Sequence, residues 1–176
     1  GATTYSWNNG VTQNVAFTPL ATTTYTVTGT TAGCTSTSTV SITVNPIPPV
    51  YAGAPQTICI GFPVTLSATG ATTYSWDNGV TQDIPFYPLS TSIYTVTGTS
   101  LGCTNTSNVT VTVNPLPIVS AGTDITICDG TSIALSGSGA STYSWSNGEA
   151  DGVSFIPALG NIPITVTGTD VNGCIN

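Results

Sequence analysis

The sequence predicts an all-β protein, built from small β-sandwich modules joined in a linear array. Three observations predict it. The segment Gly1–Trp7 returns as Gly70–Trp76 and Gly139–Trp145, a spacing of 69 residues each time, and residues 1–46 match residues 70–115 at 32 of 46 positions. A fixed period of this length marks one supersecondary unit used in series. Apolar and polar residues alternate with period two in several runs, such as Val109-Thr110-Val111-Thr112-Val113, which is the pattern of a half-buried strand. Turn residues punctuate these runs every 8–12 residues, and no segment carries a helical period.

Three units follow: 1–46, the C-terminal part of one repeat; 47–115, a complete repeat; and 116–176, a repeat without its last strand. The proline-rich stretches Asn45–Pro49 and Asn114–Pro117 read as short, semi-rigid hinges between them. Along the complete repeat, Val50–Ile58 reads as an opening strand and Gly61-Phe62-Pro63 as a turn. Val64–Ala68 alternates apolar-in and polar-out, and Thr73–Trp76 follows as a strand. Asp77-Asn78-Gly79 is a turn signal. Ile84–Tyr87 is a short edge strand flanked by Pro85 and Pro88. Ile93–Thr99 alternates again, and Gly102-Cys103 turns into the final run, Val109–Val113. The chain opens and closes within a repeat, so a window from a longer repetitive protein is expected.

Leu66, Trp76 and Val96 fall where an immunoglobulin domain places its first cysteine, its buried tryptophan and its second cysteine. Tyr94 lies two residues before Val96, as the conserved tyrosine does there. The expected core is therefore immunoglobulin-like, with aliphatic residues in place of the disulfide. Together with Thr57-Ile58-Cys59, Tyr74-Ser75-Trp76, Tyr94–Thr99, Gly102-Cys103 and Val109–Pro115, this pattern resembles the immunoglobulin-like and PKD-like tandem repeats of large Bacteroidota cell-surface proteins, including gliding-motility-associated adhesins. The resemblance spans the whole chain. It implies an extracellular array and carries over no catalytic residue. The acidic turn of many PKD modules is reduced here to Asn8-Asn9-Gly10, Asp77-Asn78-Gly79 and Ser146-Asn147-Gly148.

Composition restricts function. The chain has no Lys, Arg or His, and its seven acids give a net charge of −7. Without side-chain cations it cannot neutralise phosphates, so neither nucleic acid nor anionic lipid is an expected partner. No apolar run is long enough for a membrane helix, so no direct membrane insertion is expected. The usual actors of nucleophilic and general-base catalysis are missing, so no enzyme activity, cofactor or metal is expected.

Cys34, Cys103 and Cys174 recur at one position of the repeat, and Cys59 and Cys128 at another. With no Cys-x-x-Cys and no His, disulfides in an oxidising, extracellular setting are expected in place of zinc. Two connectivities compete. Pairing within a repeat joins Cys59 to Cys103 and Cys128 to Cys174, but it must span opposite ends of a sandwich whose strands run roughly 26 Å. A disulfide needs Cα atoms within roughly 7 Å. Pairing between repeats in a head-to-tail array joins Cys59 to Cys174 and leaves Cys34, Cys103 and Cys128 for further repeats. The second is favoured, and sequence alone leaves both open.

The remaining candidates are weighed against plainer roles. Trp7, Trp76 and Trp145 suit the core better than sugar stacking. Glu149 and Asp151, which could serve glycoside cleavage or calcium, occur in one copy only and suit a solvated loop better. Thr95, Thr97, Thr110 and Thr112 are expected on an outward face, where threonine ladders stabilise the sheet. They are also candidates for O-glycosylation or lateral self-association, because few charges guard the edges. Asn105 and Asn108 fit the N-glycosylation pattern. The expected function is a stalk or filament segment of a bacterial surface protein. A glycan- or matrix-binding adhesin, or an accessory module of a secreted hydrolase, is the alternative.

Overall fold

A computed structural model describes residues 1–176. It contains eleven strands and no helix: β1 (Thr4–Trp7), β2 (Thr23–Thr31), β3 (Cys34–Ile42), β4 (Gln56–Cys59), β5 (Thr73–Trp76), β6 (Ser92–Ser100), β7 (Cys103–Asn114), β8 (Ile133–Ala134), β9 (Thr142–Trp145), β10 (Ser154–Phe155) and β11 (Val166–Thr169). The protein is all-β.

Each backbone ladder stays within one of the three repeats. The first repeat carries an antiparallel sheet ordered β1-β2-β3. The second carries a four-stranded sheet ordered β4-β7-β6-β5, in which β4 runs parallel to β7 and the other pairs are antiparallel. The third has two antiparallel pairs, β8 with β10 and β9 with β11. The register repeats with the sequence: Trp7 lies opposite Val27, Trp76 opposite Val96 and Trp145 opposite Val166.

The packed core belongs to the second repeat. From the sheet it takes Trp76, Tyr94, Val96, Val109 and Val111, and from the facing segment Val64, Leu66 and Ala68, with Ala52 and Val80 closing its margins. Val96 and Val111 are completely buried. Burying side chains of this size stabilises by about 1.5–3 kcal/mol each. Phe86 meets the Tyr94 ring edge-on at 5.1 Å, and Phe17 meets Tyr25 in the same way at 5.1 Å, an arrangement the ring quadrupoles favour. No buried side-chain nitrogen or oxygen lacks a hydrogen bond.

The facing segments are less regular than their alternation suggests. The expected strand Val50–Ile58 is reduced to a bridge from Tyr51 to Thr69 and the four residues of β4, and Val64–Ala68 with Ile84–Tyr87 to a single bridge from Val64 to Phe86. Pro55 and Pro85 lie within these segments, and Pro49, Pro63 and Pro88 directly beside them. Each removes a ladder donor, so apolar alternation survives where continuous pairing does not.

Gly98 shows how closely the layers approach. A Cβ there would lie 2.7 Å from the Ala71 Cβ and would overlap Val50, and Gly168 meets Val119 and Ala140 in the same way. The small residue is set by packing against the incoming hinge, since its backbone is ordinary extended strand.

Candidate functional site

The chemistry that recurs along this chain lies at the junctions between repeats. β4 ends at Cys59, held opposite Asn114 in the parallel ladder. The Ile60 N–H donates to the Asn114 carbonyl at 2.8 Å, and the Phe62 N–H to the Cys59 carbonyl at 3.2 Å. This turn therefore sits where the last strand of the second repeat runs out. Across the junction, the turn before Cys174 in the third repeat approaches it. Cys59 and Cys174 form a disulfide with Cα atoms 5.6 Å apart and 115 residues apart in sequence. Cys174 is completely buried. The bond joins two repeats, and the intra-repeat alternatives Cys59–Cys103 and Cys128–Cys174 are not formed.

Asp170 shapes the Cys174 turn. Its carboxylate accepts from the N–H groups of Cys174 and Asn172, both at 2.8 Å, and from the Asn172 side-chain amide at 3.4 Å. Desolvation raises the pKa of this carboxyl, but hydrogen bonds from Cys174, Asn172 and Gly173 outweigh it, so Asp170 sits below the ordinary 3.8.

The first junction repeats the arrangement without the covalent bond. The Asn45 side-chain amide donates to the Leu101 carbonyl at 2.9 Å, and the Cys103 thiol lies 3.6 Å from the Asn45 carbonyl. Asn105 donates to the Pro48 carbonyl of the hinge at 3.0 Å, and Asn176 donates to Pro117 at 2.9 Å in the next copy. Asparagine thus fastens each hinge to the turn that carries the junction cysteine. Cys34, Cys103 and Cys128 are free thiols; Cys34 and Cys128 are exposed, and Cys103 is half-buried.

A second recurring device pins each tryptophan. The indole Nε1–H donates to the residue six positions on: Trp7 to Gln13 at 2.6 Å, Trp76 to Gln82 at 2.8 Å and Trp145 to Asp151 at 3.0 Å. Gln82 also exchanges hydrogen bonds with both backbone groups of Ala68, and Asp151 accepts from the Gly137 N–H at 2.7 Å. Asp151 is an exposed loop acid, as expected, and its carboxylate also tethers the tryptophan to the facing segment. Glu149 stands where the second repeat places Val80, and its side chain takes no part in this network. Trp76 and Trp145 are buried and Trp7 is half-buried.

The reduced acidic turn is also spent structurally. Asn8 and Asp77 each accept from a strand N–H at 2.9 Å, from Thr26 and Thr95, and Ser146 accepts from Thr165 at 3.0 Å. Three different side chains supply one acceptor at the same place. No group of three or more acidic, cysteine or histidine side chains gathers where it could hold a metal ion.

The outward threonines Thr95, Thr97, Thr110 and Thr112 alternate with the buried Tyr94, Val96, Val109 and Val111, and lie half-buried on the opposite face. Thr95 faces Asn108, Thr97 faces Thr106, Thr110 faces Ile93, and Thr112 faces Thr57 of β4. Asn108 is exposed on this face. Asn105 is committed to the hinge through its amide and to the Thr106 N–H through its carbonyl, at 2.9 Å.

Sequence reading missed Asn45, Asn105 and Asn176 as junction clamps and Gln82 and Asp151 as tryptophan tethers. The recurrence of Asn-Pro before each hinge, and of Gly-Cys-x-Asn at residues 102–105 and 173–176, was the available signal. No helix is long and apolar enough to cross a membrane. The disulfide belongs to the chemistry of an oxidising environment. No family model matches the chain, and no curated protein matches it.

Proposed function

We propose that this chain is a structural segment of an extracellular bacterial surface protein, a stalk or filament in which immunoglobulin-like sandwich repeats work in series. The observation that carries the reading is the Cys59–Cys174 bond, which joins the end of one repeat to the turn of the next. A repeat of this size has a small core and gains from a staple. A staple placed across a junction does more than stabilise a core. It removes bending and twisting between neighbours, and those are the properties a rod must suppress. The asparagine clamps on both hinges act in the same direction, and the prolines shorten the reach of any residual motion.

Each repeat would add on the order of 35–40 Å of length, from strand rise plus hinge. The junction polar groups are spent on the backbone, and the tryptophans on their tethers, so the repeating elements serve mechanics and carry no converging catalytic set. The disulfide chemistry and the serial design support a location on a cell surface or in a secreted fibre. The outward Thr ladders and Asn108 offer attachment points for glycans.

Small-angle scattering and electron microscopy before and after reduction test the proposal. The oxidised chain should give one narrow distribution of angles between the second and third repeats, and reduction should broaden it. An angular distribution unchanged by reduction would remove the mechanical role of the bond.

A further inference from the structure

The turn after each tryptophan strand contains an Asn-Gly pair: Asn9-Gly10, Asn78-Gly79 and Asn147-Gly148. A fourth pair, Asn172-Gly173, lies in the turn before Cys174. The dipeptide sets a side-chain amide carbon next to a backbone nitrogen that no Cβ shields. All four asparagines are exposed, so access does not distinguish them. Hydrogen bonding does.

In the second repeat Asn78 and Gly79 form the turn tip, with φ of 51° and 73°. The turn is closed by the Val80 N–H, which donates to the Asp77 carbonyl at 3.1 Å, and the Gly79 N–H has no partner. Beyond its chain neighbours, no atom lies within 4 Å of the place a Cβ on Gly79 would take. The Asn78 amide donates to the Asp77 carboxylate at 3.3 Å, and its side-chain carbonyl is free. Asn9 and Gly10 repeat this geometry, with φ of 55° and 70° and an unpartnered Gly10 N–H. The other two pairs are tied down. The Gly148 N–H donates to the Trp145 carbonyl at 3.0 Å, and the Asn147 side-chain carbonyl accepts from the Glu149 N–H at 3.3 Å. The Gly173 N–H donates to the Asp170 carbonyl at 3.2 Å, and the Asn172 amide is held by the Asp170 carboxylate at 3.4 Å.

We infer that Asn78, and Asn9 in the same way, is a site of spontaneous deamidation that the folded chain leaves open while protecting Asn147 and Asn172. The Gly79 nitrogen gives up its proton to solvent and attacks the Asn78 Cγ. The new N–Cγ bond closes a five-membered imide, the Cγ–Nδ2 bond breaks, and the amide nitrogen leaves as ammonia. Water then opens the imide at one of its two carbonyls. The product is aspartate, or isoaspartate with the main chain rerouted through Cγ. Nothing is oxidised or reduced, and water is the sole co-reactant. At Gly148 and Gly173 the nitrogen is held in a hydrogen bond, which must open before attack. Each event adds one negative charge to a chain whose net charge is already −7 and which has no side-chain cation to offset it. At Asn78 the new carboxylate stands beside Asp77, and the donor that now joins the two is lost. The first two repeats therefore gain charge with age at a turn where the third does not. This goes beyond the stalk reading and does not depend on it.

The experiment ages the oxidised, unmodified chain in warm, mildly alkaline buffer and follows all four sites by peptide mapping with mass spectrometry. The chain has no Lys or Arg for trypsin, so chymotrypsin, cutting after aromatic residues, separates the Asn78 turn from its neighbours. Replacement of the amide by a carboxyl is read as a mass increase, and enzymatic methylation of isoaspartate identifies the rerouted product. In the folded chain Asn78 and Asn9 should convert about five- to tenfold faster than Asn147 and Asn172, the factor expected from one hydrogen bond at each protected nitrogen. In the reduced chain held unfolded by denaturant, the four rates should converge. Equal rates in the folded chain, or an Asn147 that converts as fast as Asn78, would overturn the inference. So would a difference that persists after unfolding, since sequence and not hydrogen bonding would then set it. An Asn78 that stays unconverted while the unfolded chain reacts would overturn it too.

Discussion

The second and third repeats carry nearly the same core residues and bury them differently. Val96 and Val166 each lie opposite a tryptophan in a matching register, yet Val96 is 0% exposed and Val166 is half-buried. Leu66 and Leu135 differ in the same way, 1% exposed against half-buried. The local strand pair is equivalent in both. The difference lies in the layer around that pair: in the second repeat Val109 and Val111 of β7 complete the sheet beside Val96 and Leu66. A core residue's contribution is set by the whole layer around it, and a correct strand pair supplies only part of that layer.

Truncating the core should break the comparison most visibly. Leu66→Ala should cost about 2–5 kcal/mol, because it opens a cavity in a closed core. Leu135→Ala should cost less than half as much, because the site is already open to water. Chemical denaturation followed by tryptophan fluorescence measures both. Equal losses would mean that the third repeat is as closed as the second.

Removing the staple comes next. Cys59→Ser should destabilise by about 2–4 kcal/mol, since the bond closes a long loop. The loss should fall on the third repeat, whose own core is smaller than that of the second. Amide exchange resolved by repeat reads this directly. Protection lost evenly across all repeats would show that the bond does not act at one junction.

Gly98→Ala should cost about 1–3 kcal/mol through overlap with Val50 and Ala71. Gly168→Ala should cost a similar amount, because Val119 and Ala140 crowd it equally. This pair sharpens the contrast: where the hinge packs alike, the two repeats should respond alike, as thermal melts would record.

The tethers should matter somewhat less in the third repeat. Gln82→Ala leaves the Trp76 indole N–H without its acceptor at a cost of about 1–3 kcal/mol. Asp151→Ala should cost less, because water can reach its exposed position. A shift of tryptophan emission with each variant checks that the ring has moved.

The smallest effect should belong to Asp170. Its folded-state pKa lies below its unfolded value. Its contribution is therefore present above 3.8 and is lost as pH falls through the folded value. Asp170→Asn should lower the melting temperature slightly near neutrality, and the gap should close in acid. A gap that widens in acid would reverse the assigned sign.

Much of the second repeat is legible in the chain. Alternation identifies Tyr94, Val96, Val109 and Val111 as inward, because strand geometry sends successive side chains to opposite faces. Gly79 and Asn78 announce their turn, since both adopt positive φ there, 73° and 51°. The Trp76 position follows from its place in the same alternation. The facing layer is less legible. Prolines cut its ladders to single bridges, and burial at Val64 and Leu66 comes from packing against the sheet and owes little to strand pairing. The acceptor roles of Asn8, Asp77 and Ser146 are hidden for a different reason: what they share is a position, and no residue type reveals it.

By itself, the sequence determined the all-β class, the 69-residue period, the inward and outward faces and the absence of side-chain cations, because each depends on residue type and spacing along one strand. Only the tertiary structure decided which cysteines meet, which asparagines clamp a hinge and how far each core closes. These depend on distances between segments up to 115 residues apart, and a one-dimensional pattern holds no record of such distances.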